Sequence, residues 1–462
     1  MSPVRTELTT TEKLNFSEIP EWVLNVARVL NMKGFQTYLV GGAVRDLLWG
    51  EHPSDWDLAS DALPEEIGAM FPKTIASGSK YGTMTIMNEG NQLEITTLRE
   101  DLHYSDGRHP EIVHFGKDIC LDLARRDFTI NAIAFDLTKR ELIDPFGGRR
   151  DIRRRLLKAV GDPARRYHED GLRMFRFYRF LATLDVQAHR QTEQAINAES
   201  AIGVSNERIR EEFSKLLIGP GVGRALSGLK KSGLLGVFLA ELLNEGQHLQ
   251  KGFQKKSLWQ HSMEAAMTIN PQLQLRLAAL LHDVAKPLTQ SIDSDGIHFY
   301  NHDQIGSELS RVIMKRLGYP RQLVDRVSTL IRWHMFFINE QTSDAAIRRL
   351  IVKVGPQYIP DLLELRRADI VASGRVDYHT WENWQALSGR INDILNAQTT
   401  RNPFYPVING TDLIKHFQLQ PGPIIGEVLR YLQETLLDDP ALNQKPALLK
   451  LAEDYLQARI KT

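Results

Sequence analysis

The chain of 462 residues is poor in three things. It has a single cysteine, Cys120, which excludes an internal disulfide framework and suits a reducing compartment. No apolar run approaches the ~18 uninterrupted residues of a membrane helix, so no membrane span is expected. Net charge is also missing: 57 Lys+Arg balance 57 Asp+Glu, which argues against holding nucleic acid by bulk charge alone. The opening residues, MSPVRTELTTTEKLNF, carry no apolar core of a signal peptide, so the expected location is cytoplasmic.

What is present is an ordinary globular mixture, 42% hydrophobic and 25% charged, with length for about three domains. The charges are unevenly spread. Residues 46–72 hold seven acidic side chains and no Lys or Arg, whereas residues 140–180 hold twelve Lys/Arg against six Asp/Glu. Charge runs of this kind often serve only as solvated faces. The same order also suits an enzyme acting on phosphates, since a metal needs carboxylates and phosphates need guanidinium groups.

The first 150 residues read as mixed α/β. EWVLNVARVLNMK has helical apolar spacing and stops at Gly34; FQTYLV reads as a strand running into Gly41-Gly42, and AVRDLLW as the helix after it. DWDLAS, GTMTIMNEG and QLEITTLR read as strands, LPEEIGAMF as a helix with proline in its first turn, and REDLHYSDGRHPEIVHF as a mobile loop. Beyond residue 150 strand signals fade and helical spacing dominates, as in GLRMFRFYRFLATL, NERIREEFSKLL and LQLRLAALLHDVAK.

Two constellations carry chemistry. In the first, Gly41 and Gly42 precede a helix, where backbone N–H groups and the helix dipole receive a phosphate. Asp55-x-Asp57 on a strand would put two carboxylates on one face, which a hard cation such as Mg²⁺ would hold together. Arg45 either pairs with phosphates or caps a neighbouring acid. Arg173, Arg176 and Arg179 read as a helical stripe, solvated or ligand-binding, and Phe175, Phe177, Tyr178 and Phe180 between them read as core packing. In the second, His261, the His282-Asp283 doublet, His302, His334 and Asp369 follow in order on helical segments. Imidazoles with carboxylates suit Mn²⁺, Fe²⁺, Ni²⁺ or Zn²⁺.

GGAVRDLLWG…SDWDL resembles the first motif of the class II nucleotidyltransferases of the polymerase-β superfamily, the tRNA nucleotidyltransferases and bacterial poly(A) polymerases. LARRDFTINAIA, IDPFGGRRDI, EDGLRMFRFYRF and NERIREEF follow in that family's order. The resemblance implies Mg²⁺ on Asp55 and Asp57 and Glu94 as a third carboxylate, with an exposed strand position as the alternative for Glu94. It implies Arg126 and Asp127 at ribose and phosphates, a hinge around Asp144, Gly147, Gly148 and Asp151, and base reading by Asp170 and Arg173 on one helix face. NERIREEF would steady that helix. A loop over Arg99–Pro110 is similar to that of enzymes able to switch to ATP, which disfavours addition of cytidines only. The second constellation resembles the HD superfamily of metal-dependent phosphohydrolases, with His261, His282, Asp283 and Asp369 as the metal set. His302 and His334 would serve a second metal or a phosphate, and such a domain can also be chiefly structural.

The expected fold is α+β: a polymerase-β-like head with a mixed sheet over residues 16–150, then all-α regions. These are a neck at 151–240, an HD domain at 250–390 and a tRNA-binding tail at 400–462. The expected activity is CMP and AMP transfer from CTP and ATP to the tRNA 3′ end. The alternatives are an enzyme adding only the terminal AMP, a poly(A) polymerase, or an HD phosphohydrolase with an RNA-binding N-terminal domain.

Overall fold

The computed structural model describes residues 16–78, 82–88, 90–104, 110–244, 257–336, 341–374, 378–396 and 404–460. The chain divides into two compact units, one up to Leu243 and one from Asn244 onward.

The first unit is built on a mixed sheet. Its strands are β1 (Thr37–Val40), β2 (Asp57–Ser60), β3 (Thr74–Gly78), β4 (Thr83–Asn88), β5 (Asn91–Thr97), β8 (Ala134–Asp136) and β9 (Glu141–Ile143). They lie in the order β3-β4-β5-β2-β1-β8-β9, with only the β2–β5 pair parallel. All four residues of β1 (Thr-Tyr-Leu-Val) are buried, as befits a central strand covered on both faces. Tyr38, Val40, Ala59, Leu98, Leu123 and Ala134 share one core cluster, which anchors β1 and β2 from behind.

Two local expectations change. The strand that carries DWDLAS begins only at Asp57; Asp55 sits in a bend after Pro53 and is exposed. Period-two spacing therefore does not place Asp55. The polar stretch read as a loop is an antiparallel ribbon of β6 (Arg99–Tyr104) and β7 (Pro110–Phe115). Its register pairs Leu102 with Ile112 and Tyr104 with Pro110, a pairing hidden in sequence by the charged residues between. Residues 105–109, the centre of the expected loop, lie outside the described residues.

Beyond the sheet this unit is helical. Leu172–Thr183 packs against Asn206–Ile218 and Val222–Lys231. Its Met174, Phe175, Phe177, Tyr178 and Leu181 are at most 2% exposed, and burial of each is worth roughly 1.5–3 kcal/mol.

In the second unit Leu258–Thr268 opens on a capping box, with Gln260 N donating to Ser257 Oγ and Ser257 N donating to Gln260 Oε1. Leu273–Leu281 is buried through seven consecutive residues and is enclosed by Leu258–Thr268, Arg321–Trp333 and Ile359–Ala372. A small hairpin, Gln290–Asp293 with Gly296–Phe299, interrupts the helices; its short polar strands gave no sequence signal. Helices Gly410–Phe417, Pro423–Asp438 and Lys445–Ile460 close a separate cluster around Leu413, Val428, Leu432, Leu436 and Leu448.

Candidate functional sites

The first unit carries an open cleft of about 830 Å³ over the middle of the sheet, where β2 and β5 run side by side. Parallel pairing puts Asp57 directly beside Glu94. Burial, and then the neighbouring Glu94 charge, push the Asp57 carboxyl up to about 6. Asp55 joins them in the cleft wall from the preceding bend, where its Oδ2 accepts the Ser54 hydroxyl at 3.0 Å. These three do not close to within 4.8 Å of one another, unlike the cluster in the second unit. A carboxylate made costly by burial and a like charge is one that a divalent cation would relieve, so the set fits a hard metal.

Backbone geometry brings the Gly41-Gly42 turn against Asp57. Gly41 has φ +74°, and a Cβ there would stand 3.3 Å from Arg126 Nη1 and 3.4 Å from Asp57 Oδ2. A side chain would be both strained and crowded against the metal edge. Gly42 opens the helix Gly42–Trp49. Arg45 on that helix is buried, its Nε donating to Asp46 Oδ1 at 2.8 Å and its Nη1 to Asn131 Oδ1 at 2.9 Å. Its neighbouring acid thus holds it, although it still lines the cleft.

The opposite wall comes from the helices after the sheet. Asp170 does not lie on the helix with Arg173, as the three-residue spacing suggested. It ends the helix Pro163–Glu169 with extended backbone (φ −152°, ψ 106°), and the next helix starts at Leu172. Between them Gly171 passes so close to the following chain that a Cβ would be 2.4 Å from the Ser200 carbonyl oxygen. Arg173 donates through Nη1 to Glu169 Oε2 at 2.9 Å and through Nη2 to the Arg125 carbonyl at 2.7 Å. Arg176 Nε donates to Asp127 Oδ2 at 2.8 Å. Burial opposes the Asp127 charge, yet Arg176, Asn131 and the Phe128 amide hold its carboxyl at about 2. Asp127 therefore lines the cleft while its oxygens are taken up internally.

Arg179 pairs with Glu212 at 2.5 Å, and its guanidinium lies 3.7 Å from the Phe180 ring centroid. Phe180 thus packs in the core, as expected, and also underlies Arg45 and Arg176 at 5.6 and 5.5 Å. At the hinge motif, Asp144 accepts the amides of Gly148 (2.7 Å) and Arg149 (2.9 Å). Burial nevertheless raises its carboxyl to about 6. Asp151 accepts the Thr129 hydroxyl at 2.8 Å.

The second unit gathers all six residues of the second constellation. His261 Nε2 lies 3.1 Å from His282 Nε2, 3.2 Å from Asp369 Oδ1 and 3.4 Å from Asp283 Oδ2. His302 and His334 point Nε2 at Asp283 Oδ1 from 3.6 and 3.7 Å. Two triads result, His261–His282–Asp283 and Asp283–His302–His334. The Nδ1 atoms of His282, His302 and His334 face the carbonyls of Ala279, Phe299 and Ile331 at 2.7–2.8 Å. A carbonyl can only accept, so those Nδ1 atoms carry a proton, and each ring in its neutral form presents the lone pair of Nε2, the form a metal would bind. The Nε2 atoms of His302 and His334 are buried without a hydrogen-bond partner. This donor set fits a transition metal. Burial opposes the Asp283 charge, but His282 and Lys286 beside it hold its carboxyl well below the usual range.

Comparison with known proteins gives the family. Family models described as the poly A polymerase head domain, the probable RNA and SrmB-binding site of polymerase A, and the HD domain match residues 37–158, 187–245 and 258–372. The chain is 48% identical to the Bacillus licheniformis CCA-adding enzyme over 213 residues, 46% of this chain and about half (53%) of that relative. With the Geobacillus thermodenitrificans CCA-adding enzyme it shares 44% identity over 359 residues, 74% of this chain and 81% of the relative. The chain belongs to the CCA-adding enzyme family. The crystal structure of the Bacillus stearothermophilus CCA-adding enzyme in complex with CTP superimposes with a TM-score of 0.70 at 28% identity. It covers 96% of this chain and 99% of that one.

Every residue singled out from the nucleotidyltransferase motifs for metal, phosphate or base lines the one cleft. Sequence reasoning did not single out Asn131, Arg125, Arg208 and Lys215, which line it too. Arg208 stands inside NERIREEF, and only the folded chain shows that it reaches Asp170. In the HD cluster, Lys286 was also missed. It lies three residues after Asp283 and pairs with it at 2.6 Å, a spacing that one helical turn brings together.

Proposed function

We propose that this chain builds or repairs the CCA terminus of tRNA in the cytoplasm, transferring CMP and AMP from CTP and ATP to the 3′ end without a nucleic-acid template. The observation that carries this is the one cleft whose lining includes both the Asp57–Glu94 pair and Asp170 with Arg173. Asp55, Asp57 and Glu94 would hold Mg²⁺. Bound there, divalent cations acidify the RNA 3′-hydroxyl and neutralise the triphosphate. Gly41, Gly42, Arg126, Arg176 and Arg179 position the phosphates for in-line attack at the α-phosphorus, with pyrophosphate leaving. Asp170 accepts from the exocyclic amine of cytosine or adenine, and Arg173 donates to the ring acceptors; uracil and guanine present a carbonyl to Asp170 instead. In this reading residues 16–150 catalyse, 151–240 select the nucleotide and 400–462 grip the tRNA. The test uses tRNA transcripts ending before the first C, after CC or after CCA, with CTP and ATP singly and together. Completion of all shortened ends supports the proposal. Extension of only the CC end assigns terminal-A addition, and long A tails on any RNA assign poly(A) polymerase.

A second activity is supported by the HD cluster in residues 250–390. His261, His282, Asp283 and Asp369 would hold one Mn²⁺, Ni²⁺, Fe²⁺ or Zn²⁺, and His302 and His334 with Asp283 a second. Such a metal supplies an activated water for phosphate-ester hydrolysis. The check, in the presence of each metal in turn, is opening of 2′,3′-cyclic phosphate RNA ends to a monoester and release of inorganic phosphate from 3′-phosphate ends.

A further inference from the structure

Among the described residues, Arg208 makes one side-chain contact that the reaction scheme above does not use. Its Nη1 donates to Asp170 Oδ1 at 3.2 Å and its Nη2 to Asp170 Oδ2 at 2.8 Å, a two-pronged fork on one carboxylate. The Leu172 amide donates to Oδ1 as well, at 3.0 Å. A carboxylate offers roughly four lone-pair positions, so these contacts engage three and leave one, on Oδ2. The pair stands at the cleft with side chains 23% and 18% exposed.

Arg173 is treated the same way by its neighbours. Nη1 donates to the Arg166 carbonyl (3.0 Å) and to Glu169 Oε2 (2.9 Å), and Nη2 to the Arg125 carbonyl (2.7 Å). Of its five N–H bonds these use three, leaving the Nε–H and one Nη2–H. What the two residues together still offer is one acceptor and two donors. The pairing edge of cytosine offers the complement, an amine and two acceptors; adenine offers an amine and one acceptor.

We propose that Arg208 is a specificity-determining positioning residue, which by engaging both oxygens of Asp170 leaves a single acceptor at a fixed point and so sets discrimination against uracil and guanine. The proposal rests on the base-reading role assigned above to Asp170 and Arg173. A planar guanidinium fixes the plane of the carboxylate as well as its place. Without that fork the carboxylate turns about its terminal torsion and can follow the ring N–H of uracil or guanine to a displaced position. Arg173 would then donate to their carbonyls. Arg208 never touches the base, so its loss relaxes choice more than it weakens transfer.

The experiment measures single-nucleotide addition by the full chain to tRNA ending before the first C, comparing wild type, Arg208→Gln, Arg208→Lys and Asp170→Ala with CTP and with UTP. Arg208→Gln is expected to lower the CTP-to-UTP ratio of kcat/KM by about ten-fold or more, chiefly through a higher KM for CTP and a lower one for UTP. Arg208→Lys, which keeps the charge but cannot bridge both oxygens, should give an intermediate ratio. A ratio within about two-fold of wild type in both variants, with CTP and UTP rates falling together while Asp170→Ala collapses the ratio, overturns the role of Arg208 alone. An unchanged ratio in Asp170→Ala overturns the base-reading assignment itself. If Arg208→Gln does not fold, Arg208→Lys decides: a wild-type ratio overturns the proposal and a reduced one supports it.

Discussion

At the scale of single residues, each site is governed by how it treats its charges. Asp57 carries two opposing circumstances, burial and a like-charged neighbour, and a cation relieves both. Asp57→Ala should abolish nucleotide incorporation while leaving tRNA binding within about two-fold, read by primer extension and filter binding. Substantial residual incorporation would remove Asp57 from the metal set. Asp127 is the reverse case, a buried carboxyl held at about 2 by Arg176 and Asn131 against the ordinary 3.8. Its folded value lies below its unfolded value, so its contribution is fully present above about pH 4 and is lost as pH falls towards 2. The size is on the order of 2 kcal/mol. Urea unfolding of wild type and Asp127→Asn at pH 6, 4 and 3 checks this: the variant should be less stable at pH 6, with the gap narrowing as pH falls.

At the scale of elements, the site depends on junctions rather than on helix or strand interiors. The Gly-Gly turn was legible as a turn because the apolar strand before it and the helix after it both have clear periods. The parallel neighbour of β2 was not legible: nothing local in QLEITTLR says that Glu94 will lie beside Asp57. Likewise the i,i+3 spacing of Asp170 and Arg173 suggested one helix face, but the chain breaks at Gly171 against Ser200. Gly171→Ala would press a Cβ to 2.4 Å of that carbonyl oxygen, where only backbone movement makes room. Overpacking of this kind costs about 1–3 kcal/mol, and each kcal/mol lowers the unfolding midpoint by about 2–4 °C in a unit of this size. Calorimetry should show that loss, and the nucleotide KM should rise. A wild-type midpoint would mean that the short helical turn Ala198–Ala201, which carries Ser200, yields freely.

At the scale of the whole molecule, neutrality conceals unlike parts. The cleft is lined by eight Lys/Arg against five Asp/Glu, so a chain without net charge still meets a triphosphate and an RNA end with a local basic surface. No helix among the described residues is long and apolar enough to cross a membrane. Each unit holds its own constellation. His282→Ala should strip transition metal from the protein, as measured by elemental analysis, and remove phosphohydrolase activity while nucleotide addition stays within about two-fold. A parallel loss of both activities would show that the units are coupled. Removal of bound metal with a chelator should lower the thermal midpoint of the second unit by several degrees, because a ligand bound only to the folded state stabilises it.

The amino-acid order alone determined the family, the kind of chemistry, twelve of the twenty residues that line the cleft and the four histidines and two aspartates of the second cluster. Those facts reside in short motifs whose residue types the chemistry demands. Periodicity also placed most helices, since a buried stripe every three or four residues is a local property. Only the tertiary structure decided which groups stand beside one another: Asp57 against Glu94 across a parallel pair, Arg208 on Asp170, four histidines and Asp369 around Asp283. Contacts between distant segments are set by packing of the whole core, and no window of sequence contains them. The neutral sum of charges was visible from the first, but its division into metal edge and arginine wall became a mechanism only when the chain closed one upon the other.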